Sequence, residues 1–420
     1  MAALGGSLGS NQGQSVIKQS NEVMTMPIFP RTEKVPLGIY IHIPFCRSKC
    51  EYCDFYSLPQ SDEETMDRYL KALCTHIRES GALAPAYRVD TVYFGGGTPS
   101  YFGGDRLSAV LVAIRESFDV TPDAEITFEA NPDSVNMRLL RRLKREGFNR
   151  MSLGIQSDDD ETLSALGRPH TYADALEAVR LARKAGFRNL SVDLMFGLQN
   201  QTTQSWLDTL EHVLKLKPEH ISCYGLRIEE ATPLNRYYHL LDIPDDDTQA
   251  DMYLNAVELL SRRGYHQYEI SNFAQRGKPS RHNLKYWTGK EYLGFGPCAS
   301  SDFAGKRFEI VASLREYMEG IENNTQVLKH IHEIPPRERA GEYFITRLRT
   351  TLGITRREFE ATYLLDFGPM EQVLEKCFRL GHAICINDRW RLTPEGMLVS
   401  NYILSDILNA LDDSIKLEKK

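Results

Sequence analysis

The sequence has few cysteines, no long apolar run and no block of basic residues. Eight cysteines in 420 residues are too few for a disulfide-based scaffold, so we predict a protein of a reducing compartment, the cytoplasm. Because the sequence has no run of about 18 apolar residues, we predict that it has no integral membrane segment. A net charge of −7 without a long Lys/Arg segment argues against nucleic acid as the main partner.

The composition is that of an ordinary globular protein. Hydrophobic residues make up 42%, charged residues 25% and aromatic residues 10% of the chain. At about 100–200 residues per domain, the length predicts two to three domains. Residues 1–34 are rich in Gly, Ser, Gln and Asn and show neither a secretory nor a typical organellar signal, so we predict a flexible leader there.

From residue 37 onward, short runs that resemble β-strands alternate with amphipathic helical patterns. Six such units predict a parallel sheet with right-handed βαβ connections. We therefore predict an α/β fold, a partial (β/α)6 TIM-like barrel over residues 35–240, with a doubly wound open sheet as the alternative. The predicted strands are Gly38–Ile43, Thr91–Phe94, Glu125–Glu129, Met151–Ile155, Leu190–Leu194 and His220–Tyr224, and the predicted helices cover residues 62–80, 104–117, 135–147, 172–187 and 203–217.

After residue 240 the pattern changes. Apolar residues at helical spacing predict a long helix over Asp245–Gly264, and a Tyr- and Gly-rich region follows to residue 305. We predict that residues 241–335 extend the barrel. A Pro-Pro pair at 335–336 then indicates a domain boundary.

The pattern of the C-terminal part predicts a smaller α+β domain over residues 336–412. Its pattern is three helices, a short hairpin formed by Ala383–Ile386 and Trp390–Leu392, and a last helix. This order resembles a winged-helix domain, although it lacks a dense basic recognition face. Residues 413–420 are predicted to be a frayed tail.

Most of the chemically interesting residues follow directly after the predicted strands. In parallel α/β folds, the C-terminal edge of the sheet is where binding sites assemble. Six separate segments would meet at this edge. Their convergence is a stronger indication of a binding site than any single motif. They are the Cys46, Cys50 and Cys53 loop, Gly95–Pro99, Glu129, Gln156, Asp193 and Tyr224-Gly225.

Three cysteines lie within eight residues in the loop after the first strand, as Cys46-x-x-x-Cys50-x-x-Cys53. Soft thiolate ligands at this spacing favour an iron–sulfur cluster with one open iron. A structural zinc site would need a fourth ligand, and the nearest candidates, His42 and Asp54, are poorly spaced for that role. Zinc and a coincidental grouping remain the alternatives from spacing alone.

Gly95-Gly96-Gly97-Thr98-Pro99 follows the second strand. Consecutive glycines let backbone N–H groups approach an anion closely. A tight turn without a ligand is the alternative for this segment alone.

Several polar residues are candidates to support the same site. Glu129 ends the third strand, and Gln156 ends the fourth. Arg168 follows a short helix and could pair with a carboxylate through a bidentate fork. Asp193 lies in the apolar run LSVDLMFGL, where a carboxylate is costly unless it is hydrogen-bonded. Tyr40 alternates with two isoleucines, so it faces either the barrel interior or the core. In isolation, each of these residues also fits an ordinary structural role.

The segment YIHIPFCRSKCEYCDFYS, together with the later Gly-Gly-Gly-Thr-Pro, resembles the signature of radical S-adenosylmethionine (SAM) proteins. The resemblance implies a 4Fe–4S cluster on the three cysteines, with SAM bound at the open iron and cleaved reductively. It also implies that Tyr52 contacts the adenine and that the glycine segment holds the methionine moiety. Over residues 37–405 the chain is similar to the coproporphyrinogen-oxidase-like branch, which implies SAM contacts from Tyr40, Tyr52, Gly97, Thr98, Glu129, Gln156, Arg168, Asp193 and Gly225.

One departure from that branch bears on function. The oxygen-independent coproporphyrinogen III oxidases (dehydrogenases) have a fourth cysteine two residues after the third, whereas this chain has Phe55. The pattern instead resembles the haem-chaperone members of the branch, and it argues against decarboxylation of coproporphyrinogen. Whether the chain is an enzyme at all stays open at this point.

A second motif indicates the same group of proteins. His282-Asn283-Leu-Lys-Tyr286-Trp287 matches the HNxxYW pattern of those chaperones, where it is linked to haem binding. A neutral histidine is a suitable axial ligand for haem iron, and the two aromatic side chains offer flat faces to a porphyrin. The alternative is a histidine that caps a turn beside two core aromatics.

The sequence therefore predicts a haem-binding chaperone that carries a 4Fe–4S cluster and SAM and passes haem to acceptor haem proteins. The rival is a radical SAM enzyme that acts on a tetrapyrrole, such as a coproporphyrinogen III oxidase, and a structural zinc protein is a third option. The resemblance is also compatible with a homodimer.

Overall fold

The computed structural model describes residues 34–418. The predicted leader lies outside the described residues apart from Lys34, and so do the last two residues of the predicted tail.

Seventeen strands are present in the described chain. They are β1 (Val35–Ile43), β2 (Phe45–Cys46), β3 (Leu58–Pro59), β4 (Tyr87–Gly96), β5 (Val120–Ala130), β6 (Arg150–Gln156), β7 (Leu190–Phe196), β8 (His220–Gly225), β9 (His266–Glu269), β10 (Asn272–Ala274), β11 (Tyr292–Phe295), β12 (Ser300–Phe303), β13 (Lys306–Ile310), β14 (Leu328–Glu333), β15 (Ile354–Thr355), β16 (Ala383–Ile386) and β17 (Arg389–Leu392).

Fifteen α-helices and three short 3-10 helices complete the described fold. The α-helices are α1 (Glu63–Gly81), α2 (Pro99–Phe102), α3 (Gly104–Ser117), α4 (Met137–Glu146), α5 (Asp160–Ala165), α6 (Tyr172–Lys184), α7 (Thr203–Leu214), α8 (Asp246–Arg262), α9 (Arg281–Trp287), α10 (Leu314–Glu322), α11 (Pro336–Arg347), α12 (Arg356–Tyr363), α13 (Gly368–Arg379), α14 (Pro394–Leu398) and α15 (Ser400–Asp412), and the 3-10 helices are Pro132–Ser134, Pro233–Arg236 and Tyr238–Leu240.

Twelve strands form one curved sheet in the order β14-β13-β12-β11-β1-β4-β5-β6-β7-β8-β10-β9. The six strands predicted from the sequence are the parallel strands β1 and β4 to β8, so the partial-barrel prediction is confirmed. β11 adds a seventh parallel strand beside β1. Antiparallel strands extend both ends, β12 to β14 on one side and β10 and β9 on the other.

Alternation along the strands separates an apolar outer layer from a polar interior. On β1, Ile39, Ile41 and Ile43 are fully buried in the apolar core. The intervening Tyr40 points to the other face and stacks against Tyr93 of β4, with ring centroids 6.4 Å apart. Glu129 pairs in register with Ser152, and Asp193 with Ser222. The barrel interior is therefore polar, unlike the packed apolar interior of typical complete barrels.

Helix signals in the sequence explain where the crossover helices begin. Asp62 accepts a hydrogen bond from the backbone N–H of Thr65 and caps α1, and Thr171 forms a capping box with Asp174 at the start of α6. Gly147 adopts a left-handed conformation (φ 97°) directly after α4 and ends it.

The C-terminal domain contains α11 to α15 and a three-stranded sheet in the order β15-β17-β16. Its predicted helices and hairpin are present, and the two-residue strand β15 was not predicted. Arg339 on α11 forms an ion pair with Asp302 of β12. At the other end of the large sheet, the backbone N–H of Thr351 donates to the carbonyl oxygen of Tyr268 in β9 at 3.1 Å. This domain thus contacts both ends of the partial barrel.

Candidate functional site

The cysteine loop begins at β2 and lies across the C-terminal edge of the barrel. β2 pairs with β3, and the backbone N–H of Gln60 donates to the carbonyl oxygen of Cys46 at 3.1 Å. Cys46 and Cys50 are buried and Cys53 is half-buried, and burial raises the pKa of the Cys46 and Cys53 thiols. The fold therefore shields the three sulfurs from bulk solvent on one loop.

His42 fixes the far end of this loop. Its Nε2 donates to the carbonyl oxygen of Tyr56 at 2.9 Å, so its Nδ1 must accept the hydroxyl hydrogen of Tyr40 at 3.1 Å. Both ring nitrogens are engaged, and burial lowers the pKa of His42. His42 therefore holds the loop as a neutral ring in this arrangement.

The glycine segment after β4 packs directly under the cysteine loop. The backbone N–H of Gly97 donates to the carbonyl oxygen of Ile43 at 2.8 Å, and that of Thr98 donates to the carbonyl oxygen of Phe45 at 2.8 Å. A Cβ at position 97 would lie 2.8 Å from the Phe45 oxygen and 3.0 Å from the Cys46 sulfur. Only glycine allows this approach, so the motif is the floor of the cysteine loop.

Arg168 connects three of the converging segments. Its guanidinium donates to Cys50 Sγ at 3.5 Å, to the carbonyl oxygen of Gly154 at 2.7 Å and to Asn131 Oδ1 at 2.8 Å. Asn131 in turn donates to the Thr98 hydroxyl at 3.2 Å, and that hydroxyl lies 3.3 Å from Cys46 Sγ. The Nε of Arg168 is buried and has no hydrogen-bond partner among residues 34–418.

Tyr52 lies between the second and third cysteines and packs against a small apolar cluster. That cluster contains Leu166, which follows α5, and Met195 and Leu198 at the end of β7. Burial raises the pKa of the Tyr52 phenol, and the adjacent Arg168 opposes this shift. Tyr52 thus presents an aromatic ring in an apolar niche beside the cysteines.

The residues present fit a 4Fe–4S cluster better than a mononuclear metal site. Within the described chain, no three His, Cys, Asp or Glu side chains converge closely enough to hold a single metal ion. A 4Fe–4S cluster instead distributes its thiolate ligands over different irons, so its cysteines need not converge. The buried Nε of Arg168, which has no partner within the described chain and lies beside Cys50, fits an anionic ligand next to such a cluster.

Glu129 lies on the interior face below the glycine segment. Its Oε1 accepts the hydroxyl of Tyr93 at 2.7 Å. Burial raises the pKa of Glu129 to about 7, and the nearby Asp193 carboxylate acts in the same direction. Glu129 can therefore exchange a proton near neutral pH.

Asp193 is held by serine hydroxyls from three neighbouring strands. Its Oδ1 accepts from Ser222 at 2.6 Å and its Oδ2 from Ser152 at 2.9 Å, and Ser191 lies 3.4 Å from Oδ1. Burial nevertheless raises the pKa of this carboxyl group. The predicted need for hydrogen bonds at Asp193 is met by side chains, whereas the alternative from the sequence was a backbone partner.

Gln156 and Gly225 lie where β6 and β8 end at the same edge. Gln156 follows a register shift between β6 and β7 and has φ 69°, an unusual conformation for a residue with a side chain. Gly225 is exposed, and a Cβ there would lie 3.2 Å from the Phe196 ring. All the strand-end segments singled out in the sequence thus share this edge.

His282 lies on α9 at the opposite end of the barrel. Its side chain is completely buried, with Nδ1 2.9 Å from the Thr91 hydroxyl and Nε2 2.8 Å from the Tyr286 hydroxyl. The ring stacks on Tyr93, and burial lowers its pKa to about 3. Thr91 lies five residues before Gly96, the last residue of β4, so His282 lies well below the strand end that supports the cysteine loop.

The rest of the HNxxYW segment is less buried. Asn283, Tyr286 and Trp287 are half-buried, and the backbone N–H of Asn283 donates to the capping Ser280 hydroxyl at 3.3 Å. The Tyr286 ring meets Tyr292 edge to face. The structure therefore brings the four motif residues together as a plug at the N-terminal end of the strands, away from the cysteines.

Several residues of the site were missed in the sequence. Asn131 lies two positions after Glu129, and His42 lies two positions after Tyr40. Because side chains alternate along a strand, residues two positions apart share one face. Arg150 begins β6 on the face of Ser152 and is buried in the barrel, where its Nε and Nη1 have no hydrogen-bond partner among the described residues. Strand alternation was the signal that could have identified all three.

The helices of residues 34–418 are each too short or too polar to cross a membrane. All eight cysteines lie in the described chain as free thiols.

Comparisons with known families match two parts of the chain. The radical SAM superfamily model matches residues 40–213, and the HemN C-terminal domain model matches residues 334–399.

Curated relatives match nearly the whole chain. The chain is 34% identical over 382 residues to the "Heme chaperone HemW" of Bacillus subtilis, which covers 89% of this chain and 99% of that protein. It is 34% identical over 374 residues to the protein of the same name in Escherichia coli, which covers 88% and 97%. It is 33% identical over 404 residues to the mouse "Radical S-adenosyl methionine domain-containing protein 1, mitochondrial", which covers 92% and 91%.

Among solved structures, the chain is similar to the Escherichia coli coproporphyrinogen III oxidase (HemN), a radical SAM enzyme. The TM-score is 0.76 with 23% identity, and the match covers 90% of each chain. At this identity the similarity shows a shared fold.

Proposed function

The chain belongs to the HemW family of radical SAM proteins, and on that premise we propose that it is a haem-binding chaperone that delivers haem to acceptor haem proteins. The observation that carries the proposal is the cysteine loop. It keeps three shielded thiols, but Phe55, with 68% of its surface exposed, stands where oxidases of this branch are expected to have a fourth cysteine.

In this proposal Cys46, Cys50 and Cys53 hold a 4Fe–4S cluster, and SAM binds beside it. When bound, this pair supplies one-electron reductive chemistry. The buried Nε of Arg168 has no partner within the described chain, so it is suited to receive the SAM carboxylate. The Tyr52 ring, in its niche of leucines and methionine, is suited to the adenine.

The remaining residues proposed to contact SAM form the surrounding surface. Gly97 and Thr98 would contact the methionine moiety, and Asp193 would accept ribose hydroxyls. Glu129 and its partner Tyr93 hold a proton at Oε1 or the phenol oxygen. Tyr40, Gln156 and Gly225 complete the set that we propose.

We further propose that His282, Asn283, Tyr286 and Trp287 contribute to haem retention. In the structure, both ring nitrogens of His282 are engaged by hydroxyl groups. Ligation of haem iron by Nε2 therefore requires that the hydrogen bond to Tyr286 opens. Half-buried Trp287 and Tyr286 then offer apolar faces at the same end of the barrel.

A second candidate function is an oxygen-independent coproporphyrinogen III oxidase or another radical SAM enzyme acting on a tetrapyrrole. The observation that favours it is Arg150, a buried guanidinium inside the polar barrel with two unpartnered nitrogens. Such a group could bind a substrate carboxylate. Phe55 weighs against this function.

A side-by-side anaerobic assay separates the two functions. The protein is reconstituted with iron and sulfide, titrated with haem by absorbance, and mixed with apo-forms of candidate acceptor proteins. A chaperone shows saturable haem binding and transfer but no conversion of coproporphyrinogen III. Conversion at catalytic rates with negligible haem binding would overturn the proposal.

The compartment, the domain boundaries and the assembly of the chain are also open to proposal. Free cysteines throughout the described chain support a reducing compartment, and we propose the cytoplasm. We propose domain boundaries at residues 35, 241 and 336, with the HNxxYW segment in the middle section. A homodimer is proposed as the assembly to test by sedimentation of the reconstituted protein.

A further inference from the structure

A cleft of about 800 Å³ lies beside the cysteine loop, outside the barrel interior. Its walls come from the segment after β6 with α5, the segment after β7 with the start of α7, and the strap formed by residues 233–243 after β8. The cleft adjoins the niche of Tyr52, because Leu166 and Leu198 belong to both, but none of the proposed cluster ligands, SAM contacts or haem contacts lines it.

Part of the cleft lining is aliphatic. Six branched side chains contribute to it, three of them buried and three half-buried. Leu240, which precedes Leu241 on the strap, has 75% of its surface exposed. The six are Leu166, Leu198, Leu226, Leu234, Leu241 and Ile243. An apolar surface of this kind next to a cleft is typical of a binding groove.

The lining also carries carboxylates. Asp158, Asp159, Glu161 and Asp208 supply them, and the described lining includes no Lys, Arg or His. Asp158 is already engaged by Thr209 and His212, and Asp159 caps α5. Glu161 and Asp208 are exposed and form no ion pair within residues 34–418. Their negative charge is therefore available to a ligand.

The cleft is also connected to the cysteine loop through Glu51, the residue after Cys50. Its backbone N–H donates to the carbonyl oxygen of Leu166 at 3.1 Å, and its own carbonyl oxygen accepts from the N–H of Leu234 at 2.9 Å. Its carboxylate accepts the Tyr237 hydroxyl at 3.0 Å. Both the α5 side and the strap side of the cleft are thus attached to one residue of the cysteine loop.

We propose that this cleft docks a basic amphipathic helical segment of a partner protein. Leucine-like side chains on one face of such a helix would enter the aliphatic wall, and lysine or arginine on the other would meet Glu161 and Asp208. Haem fits less well, because its anionic propionates would find four carboxylates and no cation in the lining. The proposal does not rest on haem transfer, since the cleft can be tested without haem.

The test uses the full, cluster-reconstituted chain and a labelled 14-residue Leu/Lys amphipathic peptide, followed by fluorescence anisotropy. We expect saturable one-to-one binding that weakens as salt rises, and a matching Leu/Glu peptide should not bind. Hydrogen exchange should show protection in residues 157–166, 198–209 and 226–243. The double variant Glu161→Gln/Asp208→Asn should weaken binding about fivefold, and Leu241→Ser should weaken it to a similar extent.

The matched control is the double variant Glu375→Gln/Asp406→Asn, which removes two exposed carboxylates from the C-terminal domain. It should bind the Leu/Lys peptide as the unmodified chain does. If both double variants weakened peptide binding equally, the weakening would be due to general surface charge, and the proposal would be overturned. Unsaturable binding, equal binding of the Leu/Glu peptide, or displacement of the peptide by haem would also overturn it.

Discussion

The Nε2 atom of His282 lies 2.8 Å from the hydroxyl oxygen of Tyr286, four residues further along α9. This pair closes the N-terminal end of the barrel, and the same histidine ring lies against Tyr93, whose hydroxyl donates to Glu129. One chain of side chains therefore extends from the HNxxYW plug into the barrel interior. Changes at the plug can consequently affect two proposed sites, and controls are needed to separate folding from binding.

Replacing His282 with alanine should weaken haem retention. The substitution removes the proposed iron ligand and leaves the buried Thr91 and Tyr286 hydroxyls without their shared partner, at a cost of about 3 kcal/mol in folding free energy. We expect a reduced Soret change on haem titration with unchanged cluster iron. His76→Ala is the matched control, because His76 is also buried and pairs with the Tyr317 hydroxyl. Equal haem retention in the two variants would show that His282 does not belong to the haem site.

Replacing Cys50 with serine should abolish the cluster. A hydroxyl is a poor ligand for iron in such a cluster, and Arg168 would lose its contact with the Cys50 sulfur. We expect iron and sulfide contents near zero after anaerobic reconstitution, with the far-ultraviolet circular dichroism unchanged. The control is Cys74→Ser, which changes a buried thiol of α1 and should take up the cluster normally. A fully loaded Cys50→Ser protein would contradict the ligand assignment.

Replacing Gly97 with alanine should displace the cysteine loop. The new Cβ would lie 2.8 Å from the carbonyl oxygen of Phe45 and 3.0 Å from Cys46 Sγ, and backbone atoms cannot yield without moving β2. We expect most of the cluster iron to be lost on gel filtration after reconstitution. Gly104→Ala is the control, because its Cβ would meet mainly the flexible end of Leu139, at 3.2 Å. Equal iron in both variants would show that the loop tolerates the added methyl group.

The contribution of Glu269 to the stability of the cluster-free protein should fall as the pH rises between about 4.5 and about 7. Burial raises the pKa of Glu269 from 4.5 to about 7, so in this range the folded state binds a proton that the unfolded state has released. The contribution is fully present below about pH 4.5, is lost by about pH 7 and amounts to about 3 kcal/mol.

Urea unfolding at several pH values checks this prediction. Buried histidines with a lowered pKa, such as His76 and His282, act in the opposite direction, so the slope of each variant is compared with that of the unmodified chain. Glu269→Gln should make the slope of the free energy of unfolding against pH more positive in this range, and exposed Glu375→Gln should not. Glu129, whose pKa burial also raises to about 7, contributes in the same direction as Glu269. An unchanged slope in Glu269→Gln would show that this carboxyl group is ionised in the folded protein.

The strands and helices of the barrel were predictable because each carries a local signal. The six parallel strands are short apolar runs, and α1 and α6 begin at recognisable capping residues. β11, with the sequence Tyr-Leu-Gly-Phe, has no such signal. Its place beside β1 depends on pairing between residues about 250 positions apart, which a local pattern does not encode. β15 was missed because two residues have no periodicity.

The part of the site that lies at the C-terminal ends of the parallel strands was predictable, because these ends meet at one edge of the sheet. That rule brought together the cysteines, the glycine segment and Arg168. It did not provide the links between them, because Asn131 and Glu51 act through hydrogen bonds that depend on loop conformation. The burial of His282 was not predictable either, since it arises from the packing of α9 under β4, far away in sequence.

The contacts between the C-terminal domain and β9 have a consequence for proteolysis and aggregation. Residues 349–351 cover the outer backbone groups of β9, where the N–H of Ile270 donates to the Arg349 carbonyl oxygen at 2.9 Å. A chain clipped near residue 335 would leave those groups bare, ready to pair with another molecule. The last domain thus protects the β9 edge of the large sheet from intermolecular strand addition, whatever else it contributes.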